Sequence, residues 1–108
     1  HQGETDASIG TTELIYQKLL AGVFKVIRKL SVYQQGLSKI LVFQASKCYD
    51  NKSEAVTKAQ LNLINKNSDV YPVMNTDKLG LEFRYDGCHF NKKGINKINS
   101  SLLKAITR

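Results

Sequence analysis

The sequence predicts an α/β fold: a three-layer αβα arrangement around a flavodoxin-like parallel sheet, of which these 108 residues supply a part. Three observations predict it. Ile40-Leu41-Val42-Phe43 is a short, continuous apolar run of the kind found in a parallel strand covered on both faces. Segments with helical apolar spacing lie on either side of it, and alternating helices and strands imply right-handed crossovers and parallel pairing. Two candidate strands are too few to cover the helix stripes, so further strands are expected upstream of His1.

Each element has its own local signal. Residues 7–10 read as a loop, and Thr11 or Thr12 before Glu13 supplies an N-cap with an acid in the first turn. Leu19, Val23, Val26, Ile27 and Leu30 then fall at helical spacing, which predicts a helix over 12–32 that buries this stripe. Gln34-Gln35-Gly36 ends it, and the strand over 39–44 follows. Residues 45–52 are polar and turn-like. Ser53 caps a second helix, with Val56, Ala59, Leu63 and Ile64 inward. Residues 69–74 have strand propensity, but Pro72 lacks an N–H and pushes the segment toward an edge or an irregular stretch. Residues 75–88 read as a long connection. A last helix over 92–106 directs Ile95, Ile98, Leu102, Ala105 and Ile106 inward.

Composition narrows the function classes. With 42% hydrophobic residues, 23% charged residues, 7 Gly and 1 Pro, the chain is an ordinary globular sequence with one small core. No apolar run approaches the roughly 18 residues that would span a bilayer, so no membrane role is expected. The first residues lack the basic and apolar blocks of a signal peptide. No Met opens the chain, and its first six residues hold no cap, strand or turn that normally begins a domain, so a longer parent protein is expected. The net charge of +7 would suit a nucleic-acid partner if the cations clustered. They are instead spread singly or in pairs, with no aromatic residues alternating among them, and read as solvated helix faces. Cys48 and Cys88 match no zinc spacing, and two small buried thiols are expected rather than a disulfide.

Both histidines, His1 and His89, stand in polar, loop-like segments. In Tyr85-Asp86-Gly87-Cys88-His89-Phe90, Gly87 allows the tight path that returns the Asp86 carboxylate to the imidazole. An Asp so placed orients Nδ1 of the histidine and leaves Nε2 as a base.

The opening His1-Gln2-Gly3-Glu4 and the later Asp86-Gly87-Cys88-His89 stand in this order before a final helix. Together they resemble two blocks of the SGNH hydrolases, and more narrowly of the branch holding acetylxylan esterases and sialate O-acetylesterases. The resemblance spans the chain but only about the second half of that family's domain. The family's Gly-Gln-Ser nucleophile block is absent, since Ser8, Ser46 and Ser53 lack the flanking Gly-Gln.

The resemblance implies that residues 1–108 are the C-terminal half of one esterase domain, which removes acetyl groups from carbohydrate without metal or cofactor. It implies His89 as the base and Gln2 as the oxyanion donor, with Gly3 allowing close backbone approach. Asp86 or Glu4 is the acid, Asp86 ranking first because Asp three residues before His recurs across the superfamily. The nucleophilic serine, and the acetylated-sugar contacts, are expected largely in the missing half, and the isolated 108 residues are expected to be inactive. Two other readings stand beside this one. The chain is a non-catalytic carbohydrate-binding or structural remnant of the same fold, or a basic nucleic-acid-binding domain whose affinity would depend steeply on salt.

Overall fold

A computed structural model describes residues 3–30 and 39–107. Among them the fold is mixed α/β, with helices α1 (Glu4–Ser8), α2 (Glu13–Arg28), α3 (Glu54–Lys66) and α4 (Lys92–Ile106), and strands β1 (Ile40–Gln44) and β2 (Val70–Asn75). The strands pair in parallel, Ile40 opposite Val70 and Val42 opposite Pro72, and the register shifts between Val42 and Gln44. Pro72 is the last residue paired before this irregular step, so the ladder breaks register just past the residue that cannot donate.

The caps follow the sequence. Thr12 Oγ1 accepts the Ile15 N–H, Ser53 Oγ that of Val56, and Asn91 Oδ1 that of Gly94. Helix α1 corrects the expected loop: residues 4–8 are helical, with Glu4 and Asp6 in the favourable first turn. Helix α2 ends at Arg28 rather than Val32, its backbone tightening into Lys29 N–H to Val26 carbonyl and Leu30 N–H to Ile27 carbonyl bonds, while the Arg28 guanidinium donates to Asp69 (Nε–Oδ2 2.7 Å, Nη2–Oδ1 2.8 Å) and to Asn67 Oδ1 at 3.0 Å. The last two residues of the expected helix and the Gln34-Gln35-Gly36 stop lie outside the described residues.

Phe24, Ile40, Val42, Leu63, Ile64 and Val70 form the main core, with Leu20, Ala21 and Ile27 against it. Helices α2 and α3 thus share one face of the sheet, while α4 lies against β2. Val56, Ala59, Leu63 and Ile64 are buried as predicted.

Three burial expectations are overturned. Leu41 and Phe43 are only half-buried, so β1 is fully covered on one face. In α2 the buried residues are Tyr16 and Phe24, while Leu19, Val23, Val26 and Leu30 are exposed. This helix is apolar on two sides, and periodicity alone does not choose between them. In α4, Ala105 is buried but Ile95 and Ile106 are exposed. Among the described residues no helix is long and apolar enough to cross a membrane.

Candidate active site

Two loops at the C-terminal ends of the strands build the site. The first follows β1. Asp77, just past β2, accepts the N–H groups of Ser46 (2.7 Å) and Lys47 (2.8 Å) on Oδ1 and the Ser46 hydroxyl (2.5 Å) on Oδ2. Ser46 Oγ in turn accepts the Ser53 N–H at 2.9 Å. Gln60 of α3 serves both backbone groups of Ala45, accepting its N–H at 2.9 Å and donating to its carbonyl at 3.2 Å, and also donates to the Tyr16 hydroxyl at 2.9 Å. Burial raises the Tyr16 phenol above its usual range, against the lowering effect of that bond.

Gly3 packs onto this strand end. Its φ of 144° is open to glycine alone, and a Cβ would collide with the Ala45 carbonyl oxygen. The close approach sets Glu4 over the site.

The second loop is 84–90, closed by a bridge between Arg84 and Phe90. Within it Asp86 Oδ1 accepts the N–H groups of Cys88 (2.8 Å) and His89 (2.7 Å), and Asp86 Oδ2 meets His89 Nδ1 at 2.6 Å. Gly87, at φ 85°, makes the turn that lets one carboxylate do both. Desolvation pushes the Asp86 carboxyl up, but the Cys88 N–H, the His89 ring and the His89 N–H together hold it down at about 2. The carboxylate is therefore ionised at neutral pH, and it accepts a proton carried on Nδ1, an arrangement that leaves Nε2 facing away from the pair.

Arg84 anchors this loop to the first one. Its buried guanidinium donates to the carbonyls of Leu79 (2.9 Å), Thr76 (2.9 Å), Lys47 (3.2 Å) and Cys88 (2.7 Å), and lies 4.5 Å above the Phe90 ring centroid. Burial lowers its pKa, opposed by Asp77 and Glu4. The Tyr49 N–H donates to the Gly87 carbonyl at 3.0 Å.

A disulfide joins Cys48 to Cys88 with a Cα–Cα distance of 4.2 Å, which corrects the expectation of two thiols. Spacing in sequence carries no Cα separation, and the two loops meet only in three dimensions.

Glu4, Tyr85, Cys88, His89, Phe90 and Ile95 line one open cavity of about 500 Å³. Residues more than eighty positions apart in sequence, Glu4 and His89, are thereby brought to one place, with Asp86 on the imidazole. His1 and Gln2 lie outside the described residues. The serines weighed in the sequence are in structural bonds: Ser8 Oγ donates to the Thr5 carbonyl, Ser46 to Asp77, and Ser53 caps α3.

Arg84, Asp77 and Tyr85 were not foreseen. A signal existed for Arg84, since among 16 basic residues only Arg28, Arg84 and Arg108 are arginines, and a lone Arg between Phe83 and Tyr85 suits a planar fork better than a solvated charge. No family model, no curated protein and no solved structure matches this chain.

Proposed function

We propose that the chain is the C-terminal half of an SGNH-type serine esterase domain that removes acetyl groups from carbohydrate. The observation that carries this reading is the Asp86–His89 pair: a carboxylate fixed by two backbone N–H groups, bonded to Nδ1, beside an open cavity that also receives Glu4. In the proposed reaction a serine Oγ from the missing half attacks the acetyl carbon while Nε2 takes its proton. The imidazolium then protonates the leaving sugar oxygen, and water releases acetate from the acyl-serine by the same path. Asp86 orients the ring and stabilises its cation. Glu4 is the alternative acid, Gln2 the oxyanion donor by motif, and Gly3 the close-approach residue. No step requires a metal or cofactor.

The finer fold belongs to the same proposal. Helix α2 carries a second apolar face, and a groove beside β1 is lined by Tyr16, Val23, Leu41 and Phe43. Further parallel strands next to β1 would cover both and complete a three-layer, flavodoxin-like sheet.

The test is acetate release by the complete protein from an acetylated methyl pyranoside and from a small acetate ester, with His89→Ala as control. Cleavage of both, lost in the variant, is expected. No release from either ester, or full activity in His89→Ala, overturns the reading.

A further inference from the structure

The cavity beside His89 has one wall that the reaction does not use. Tyr85 is 71% exposed, yet its ring is held in place. Its N–H donates to the His89 carbonyl at 3.0 Å, and its ring lies 18° from parallel to the imidazole, with centroids 5.8 Å apart. Ile95, half exposed on α4, continues the apolar surface on the cavity's wall, and Glu4 adds a carboxylate. A flat, open, aromatic surface with a polar neighbour suits a particular ligand shape. An acyl chain gains most from an enclosed apolar slot, whereas a saturated sugar ring has one flat C–H face and a rim of hydroxyls.

We propose that the Tyr85 ring is a stacking platform for the pyranose ring on the alcohol side of the ester, next to the candidate base. This rests on the esterase reading for what is cleaved, but the platform itself is a binding surface and is testable without turnover. The aromatic face supplies the contact, so Tyr85→Phe keeps it and Tyr85→Leu removes it.

In the complete protein, kcat/KM for an acetylated methyl pyranoside falls roughly tenfold further in Tyr85→Leu than does kcat/KM for the acetate of a simple aliphatic alcohol. The loss lies mainly in KM, and Tyr85→Phe restores it. An equal loss on the two esters, or the same selectivity loss in Tyr85→Phe, overturns the platform. A second measurement needs no catalysis. Titrating an unreactive methyl pyranoside should move the sugar's C–H proton resonances upfield through the tyrosine ring current, and Tyr85→Leu should abolish the shift. A parent protein that produces no shift overturns the platform, whereas a shift without hydrolysis of either ester supports the platform and removes the esterase reading.

Discussion

Asp86 does two jobs with two oxygens, one building the turn and the other addressing the imidazole. Asp86→Asn separates them. Its carbonyl oxygen can still accept from Cys88 and His89, but its amide then donates to Nδ1 and moves the ring proton to Nε2, where a base is needed. On the proposed esterase reading, kcat of the complete protein for a small acetate ester should fall on the order of 10⁴-fold, with folding intact. Glu4→Gln keeps the Asp86 bond and should cost far less; equal, small losses in both variants would show that neither residue orients the base. The low pKa has its own consequence. Since Asp86 titrates at about 2, below its ordinary 3.8, its contribution to the turn is full above 3.8 and is lost as pH falls through about 2. A carboxyl carbon resonance followed against pH should have its midpoint near that value, with amide-exchange protection of Cys88 and His89 decreasing in the same window. Gln2 acts, in the proposed mechanism, only where charge develops. Gln2→Ala should therefore lower kcat about 100-fold with little change in KM, and a rise in KM alone would make Gln2 a residue that merely positions substrate.

The two loops that carry the site are joined by polar and covalent staples. Arg84 is 6% exposed and answers four carbonyls from three stretches of chain, so the loop with Asp86 and His89 is tied to the loop after β1 by this side chain, by the disulfide and by the Tyr49–Gly87 backbone bond. Lysine has no planar fork and cannot reach these acceptors together, so Arg84→Lys should destabilise the protein by about 3 kcal/mol in urea unfolding. A change within experimental error would mean that the disulfide and the Tyr49–Gly87 backbone bond hold the loop without Arg84. These staples were also the least legible part of the sequence. The N-caps at Thr12 and Ser53, the strand around Val42 and the inward stripe of α3 could be read because each depends on neighbours within a few positions. The Asp86-to-His89 turn was readable for the same reason. Cys48 with Cys88, Asp77 with Ser46, and Gly3 with Ala45 depend on separations set only when the chain has folded. Helix α1 is a single five-residue turn with too few residues for a periodic signal.

Helix α2 is the place where the molecule's extent bears on its stability. One apolar side, Tyr16, Leu20, Phe24 and Ile27, turns to the core, and the other presents Leu19, Val23 and Val26 at 59%, 51% and 64% exposure. A helix apolar on both sides is characteristic of the interior of a larger sheet protein, and a two-stranded sheet is a small platform for it. If further strands lie beside β1 as proposed, Val23 is a core residue of the complete protein although it is half exposed within these 108 residues. Val23→Asp then forces a carboxylate into an apolar layer, and unfolding of the complete protein in denaturant should be easier by about 3 kcal/mol or more. Lys25→Gln, two positions on and exposed, makes the same one-unit change in net charge and is the control for it; it should stay within about 0.5 kcal/mol of the parent. If Val23→Asp is as mild as the control, the second face of α2 is true surface. The three-layer completion would then fail, even with the Asp86–His89 geometry unchanged.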